Sequence, residues 1–352
     1  MFYREAGQFK TSYRADSQVF PIRQDRIGIW VILIFAFVAV PLLASPYMFS
    51  AILIPFLIFA LATIGLNILT GYAGQLSLGT AAFMAVGAFG AYNFMLRIPG
   101  IPVLLAFGLG GVSAALVGIL FGLPSLRIRG FYLAASTLAT QFFVVWCLTK
   151  VPWFTNNSSS GVITAQPMVI FGYPINTPQE KYLLTLSIVA LMAMAAKNMV
   201  RTNLGRSWMA VRDMDVAAEV IGFRPLWTKL SAFAISSFYC GVAGALFAFA
   251  YLGTVEPEAY NLDLSFRILF MVIIGGLGSV LGSFFGAAFI VLTPIVLSQF
   301  AHFFGLPTSV SSNLELMVFG ALIIFFLIVE PHGLARLWQI GKEKLRLWPF
   351  PY

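Results

Sequence analysis

Apolar runs recur along almost the whole chain, each broken by a short polar or glycine-rich interruption. A run of about 18 residues or more reads as a membrane-crossing helix, since about 20 residues cover the hydrocarbon layer of a bilayer. The pattern predicts ten such segments: 27–45, 48–70, 76–96, 101–122, 130–148, 182–199, 230–252, 264–278, 280–299 and 314–330. The eighth and ninth share one apolar stretch, too long for a single span, with Gly275, Gly276, Gly278 and Gly282 near its middle. A transmembrane barrel would show short segments of alternating polarity instead. The expected fold class is all-α: a polytopic helical membrane protein of about ten transmembrane segments with glycine-rich discontinuities.

"GYAGQLSLG", residues 71–79, is the sharpest interruption: glycines, a glutamine and a serine set between apolar flanks. Backbone freed from helical pairing at membrane depth persists only where protein or water satisfies it. Gly71, Gly74 and Gly79 would permit a break, and Gln75 and Ser77 could bond the freed groups. A helix starting near 76–80 would aim its N-terminal amides at the interruption, which suits a carboxylate. On that reading the stretch lines a translocation pathway. The alternative is a short turn between the second and third spans.

"GGLGS", residues 275–279, poses a similar choice. Gly275, Gly276 and Gly278 could form a second break facing the pathway. Gly278, Gly282 and Gly286 also recur every four residues, the spacing that lets membrane helices approach closely. Thr137, with Tyr132 and Ser136, could put a hydroxyl on an inner helix face, although bonding to its own helix backbone is commoner.

Composition agrees with the pattern. The 352 residues are 60% hydrophobic and 10% charged, against about 25% charged in soluble domains. The net charge of +8 is spread over loops, with no basic stripe interleaved with aromatics, so nucleic acid is not an expected partner. With the N-terminus inside, 17 of the 21 Lys and Arg fall on the inner side. The positive-inside rule then puts both termini in the cytoplasm, with the loop 200–229 inside and the loop 149–181 outside. The expected organisation is a cytoplasmic tail over 1–26, a transmembrane domain over 27–335 and a basic cytoplasmic tail over 336–352. The first apolar run is too long for a typical signal-peptide core and is read as a retained span.

Little chemistry lies at membrane depth. No Asp or Glu sits near the centre of a predicted span, and Arg267 falls near the start of the eighth. This argues against a proton relay. There is no phosphate-binding P-loop sequence, no nucleophile–base constellation and no metal-ligand spacing among Cys147, Cys240, His302 and His332. No cofactor, metal site or catalytic residue is expected. If ATP drives this protein, another subunit supplies the motor.

The longest inner loop, "RTNLGRSWMAVRDMDVAAEVIGFRPLWTK" (201–229), has helical periodicity between Gly205 and Gly222. Val211, Met214, Ala217, Ala218 and Ile221 form an apolar stripe. Arg212, Asp215 and Glu219 line an adjacent polar face. Gly222 suits a helix C-cap, with Pro225 soon after. The stripe fits a helix lying on the lipid interface or one docking a cytoplasmic partner.

This region resembles the coupling loop of bacterial ABC importer permeases of the branched-chain amino-acid type. "GYAGQLSLG", "LRIRGFYLAASTLA" (126–139), "VEPEAYNLDLSFRILFMVIIGGLGSVLGSFFGA" and "PHGL" (331–334) resemble that family's other motifs, in order, from about residue 30 to 335. The resemblance implies an ABC importer permease fold in the bacterial inner membrane and transport without catalysis. It implies a second related permease subunit, two cytoplasmic ATPase subunits and an extracytoplasmic solute-binding protein. It also implies ATPase coupling through Gly205, Arg206, Arg212, Asp215, Glu219 and Gly222. Three positions depart from the family pattern: Thr80 follows Gly79, the polar residue is Gln141 rather than 142, and Ser159-Ser160-Gly161 replaces Thr-Gly-Gly. Branched-chain amino acids are the expected solutes, with urea, amides and aromatic acids left open. A sodium-coupled carrier is the rival class.

Overall fold

The computed structural model describes residues 11–12, 23–125, 132–158, 161–170, 172–303, 317–318, 320–322, 324–326, 328 and 333–347. Most of the tail 1–26, the pair Arg127 and Arg129, Ser159 and Ser160, Pro331 and His332, much of the expected segment 314–330 and the end of the 336–352 tail lie outside the described residues.

The chain is a bundle of helices. Seven among the described residues are long and apolar enough to cross a membrane: α1 (Asp25–Leu43), α2 (Pro46–Tyr72), α4 (Val103–Ser125, apolar through Leu123), α5 (Tyr132–Lys150), α6 (Pro178–Arg201), α9 (Pro225–Leu252) and α11 (Val280–Phe303). Between them lie α3 (Thr80–Arg97), the loop helices α7 (Asn203–Asp213) and α8 (Asp215–Val220), and α10 (Leu262–Gly275). A last helix, α12, covers Gly333–Leu347. The protein is thus a polytopic helical membrane protein. Ten spans are not established: α10 has 14 residues, α3 is less apolar than the seven spanning helices, and the tenth lies largely outside the described residues. Twelve of the 18 residues of α3 are buried, so protein rather than lipid surrounds it and its sequence can carry Tyr92, Asn93 and many small residues.

The core is α2, α3, α4 and α9. The apolar windows of α2 and α9 are 78% and 83% buried, while that of α1 is fully peripheral at 0%. Small residues set the spacing. A Cβ added at Gly87 would strike the backbone of Gly241, and one at Gly244 the backbone of Met84. Phe83 meets Phe233 edge-on at 5.6 Å. Gly282 and Gly286 back onto Gly275 and Met271, so the four-residue glycine spacing packs α11 against α10.

Contacts sort the connections into two ends. At one end, Gln179 Nε2 donates to Pro41 O (3.3 Å) and Arg97 stacks on Trp153 (3.8 Å). There too β1 (Ile163–Thr164) pairs antiparallel with β4 (Thr254–Val255), and β2 (Met168–Ile170) with β3 (Tyr173–Ile175). At the other end, Lys342 bonds Asp25 (3.0 Å) and Gln75 Nε2 donates to Lys229 O (3.2 Å).

The loop 201–229 differs from expectation. One helix from Gly205 to Gly222 was predicted; two are present, broken at Met214 in extended backbone (φ −159°, ψ 95°). Trp208 and Val211 on α7 and Ala218 on α8 are buried. Trp208 is fully enclosed and donates to Ser231 Oγ at 2.9 Å. Of the expected stripe, Met214, Ala217 and Ile221 are instead exposed. Gly222 does close α8, with φ +100° and its amide donating to Glu219 O.

Candidate functional site

The two glycine-rich breaks meet each other. After α2, residues 73–79 are irregular and carry Gly74 at φ +68°. Between α10 and α11, Gly276 and Gly278 take φ +116° and +74°. Left-handed backbone of this kind favours glycine because a Cβ crowds the neighbouring carbonyl. Gly71 lies so close to Gly278 that a Cβ at Gly71 would collide with the Gly278 amide and with Asn67 Oδ1.

Asn67 joins the breaks. Its Nδ2 donates to Ser279 O (2.9 Å) and Ser283 Oγ (3.0 Å), and its Oδ1 accepts from Gly278 N (2.8 Å). It satisfies backbone that the break of α10 leaves unpaired, as buried polar groups require. Arg212, on α7, completes the junction: its Nη1 donates to Gly71 O at 2.8 Å, and its side chain lies against Gly74. Arg212 also pairs with Asp213 at 2.8 Å. The expected pathway residues Gly71, Gly74 and Gly278 and the expected coupling residue Arg212 therefore form one cluster.

The N-terminus of α3 is a second cluster. Ala81 N donates to Ser265 Oγ (2.9 Å) and Ala82 N to Gln141 Oε1 (2.7 Å). Gln141 Nε2 donates to Tyr260 O (2.8 Å), and Ser265 Oγ to Gln141 Oε1 (3.2 Å). Thr137 Oγ1 accepts from Leu78 N (2.9 Å) and donates to Ala134 O (2.9 Å). The amides expected to face a carboxylate are thus held by side chains of α5 and α10. Ser77 Oγ accepts from Gly79 N at 3.4 Å, as anticipated. A Cβ at Gly79 would approach Thr137 O to 2.7 Å. Gln75 is buried, its amide anchored to Lys229 O and its Oε1 without a partner. Around 71–79, then, the chain is a packed protein junction.

The remaining coupling residues are local in effect. A Cβ at Gly205 would clash with the Val200 carbonyl, so this glycine permits the tight α6–α7 connection. Arg206 bonds Asn203. Asp215 stands 4.0 Å from Lys229. Glu219 is exposed, and Arg212, Asp215 and Glu219 do not share one helix face because of the break at Met214. Beside these charges the loop exposes apolar side chains: Met214 (65%), Val216 (64%), Val220 (83%) and Ile221 (72%).

Asn67 was missed in the sequence, and Gln141 was noted only as a departure from the family pattern. Their signal was polarity: each is an amide within an apolar run, and such groups at membrane depth must find partners.

The family described as "branched-chain amino acid transport system / permease component" matches residues 48–327. The high-affinity branched-chain amino acid transport system permease protein LivM of Escherichia coli is 28% identical, over 79% of this chain and 68% of its own length. The probable branched-chain amino acid transport permease protein LivM of Methanocaldococcus jannaschii is 22% identical over 81% and 92%. The autoinducer 2 import system permease protein LsrC of an Enterobacter species is 26% identical over 63% and 62%. No solved structure matches.

Proposed function

We propose that this chain, which belongs to the branched-chain amino acid transport permease family, is the membrane-spanning subunit of an ATP-driven importer of branched-chain amino acids. The observation that carries this reading is the contact of Arg212 with Gly71, because it joins a loop helix to the glycine breaks between membrane helices. Docking of an ATPase on the exposed apolar residues of α8 would move α7, and with it the junction. The helices held there would then exchange outward for inward access, since interfaces of this kind have discrete packings.

The reading includes a second related permease, two ATPase subunits, an extracytoplasmic binding protein, and both termini in the cytoplasm of an inner membrane. The charge distribution and the family's membership support these partners and this sidedness. The test is uptake by the assembled transporter in proteoliposomes: leucine, isoleucine and valine should enter only with ATP on the ATPase side. Uptake driven by a sodium gradient without ATP would overturn it. The likeness to an autoinducer 2 permease makes a sugar-like solute the second reading, tested in the same vesicles.

A further inference from the structure

Arg267 is counted with the outer charges when the sequence is read alone. The packing of α10 puts it elsewhere. α10 runs parallel to α2: Thr63 Oγ1 donates to Met271 Sδ at 3.5 Å, and Gly71 backs onto Gly278. Stepping four residues back from each of Met271 and Thr63 sets Arg267 level with Phe59. Phe59 is the midpoint of the spanning helix Pro46–Tyr72. Asp263 lies one turn further out, near the level of Pro55.

Both side chains are exposed, and among the described residues neither forms an ion pair. They lie four residues apart, so they share a helix face. Beside them the half-exposed rings of Phe266 and Phe270 stack with centroids 6.2 Å apart. Charges at the centre of a bilayer are costly against lipid and face a bundle interior or a water-filled cavity instead. A cation, an anion and an aromatic wall on one exposed face match the parts of a zwitterion with an apolar side chain.

Resting on the reading above, we propose that this face of α10 lines the translocation passage and holds an amino acid in transit. Arg267 receives the carboxylate, Asp263 the ammonium group, and the Phe266–Phe270 pair the aliphatic side chain. Planar, bidentate recognition of a carboxylate is what a guanidinium does best.

The test uses the assembled transporter. Arg267→Gln should lower leucine uptake at subsaturating solute by about tenfold, the loss of one charge-assisted contact, and Arg267→Lys should restore part of it. In a background lacking Cys147 and Cys240, Arg267→Cys should react with a charged, membrane-impermeant thiol reagent, and leucine should slow that reaction. An Arg267→Cys that stays unreactive in the assembled transporter would mean that lipid or the second permease seals this face, and the proposal fails. A reactive Arg267→Cys alongside normal uptake by Arg267→Gln also overturns it, leaving the importer reading intact. Wild-type transporter that moves no amino acid sinks the importer reading itself.

Discussion

Arg212 Nη1 donates to the carbonyl oxygen of Gly71 at 2.8 Å, across 141 residues of sequence. The acceptor belongs to the last turn of α2, where π-helical pairing from Ile68 to Tyr72 gives way to the irregular segment. The donor belongs to the loop between α6 and α9. Through this bond any displacement of α7 is felt at both glycine breaks, since Gly71 is in turn packed on Gly278.

Arg212→Gln should keep the protein inserted and bound to its ATPases while uncoupling ATP hydrolysis from uptake. A charge-assisted hydrogen bond contributes about 1.5–3 kcal/mol in a shielded site, less where solvent reaches, so folding should survive. Uptake and ATPase rates measured together on one preparation check this, and normal uptake in the variant would refute it.

Asn67→Leu should destabilise the fold more than it alters the loop. It strands Gly278 N, at about 1–3 kcal/mol for a shielded group, and removes one partner each from Ser279 O and Ser283 Oγ, which keep their bond to each other. The midpoint of thermal unfolding in detergent should fall by several degrees, and an unchanged midpoint would show that the junction is dispensable.

Gln141 and Phe142 should behave oppositely. Gln141 is 1% exposed and bonds three elements, whereas Phe142 is 59% exposed on the outer face of α5. Gln141→Leu should abolish uptake and reduce the yield of folded protein, while Phe142→Leu should leave both near wild type. Equal effects would refute the assignment.

Gly79→Leu should reduce folded protein and not merely block transport, because the added side chain meets the Thr137 carbonyl. The check is the yield of monodisperse permease on size-exclusion chromatography. Normal yield with lost uptake would instead favour an open pathway at this residue.

Sidedness is tested with cysteines at Tyr173 and Thr202, in a background lacking Cys147 and Cys240. Tyr173 is exposed in the loop between α5 and α6, and Thr202 lies between α6 and α7. Impermeant reagents should label Tyr173→Cys from outside and Thr202→Cys from inside, following the charge asymmetry. Labelling from one side only would sink the proposed topology.

The sequence by itself determined the long helices and the Gly222 cap. Both follow from local physics: apolar run length and the need for left-handed backbone after a helix. It also marked 71–79 and 275–279 as breaks, since glycine in an apolar run is a local signal. Tertiary structure alone decided what the breaks do. Whether the amides of α3 stay open depends on Gln141 and Ser265, which lie 59 and 184 residues from the groups they hold. Whether Arg212 faces a partner or its own chain depends on how α7 packs against the end of α2. The depth of Arg267 likewise depends on how α10 lies along α2. Periodicity reports which face of a helix is apolar, but hydrogen-bond partners and helix register are fixed by packing between segments distant in sequence, and no local pattern carries that information.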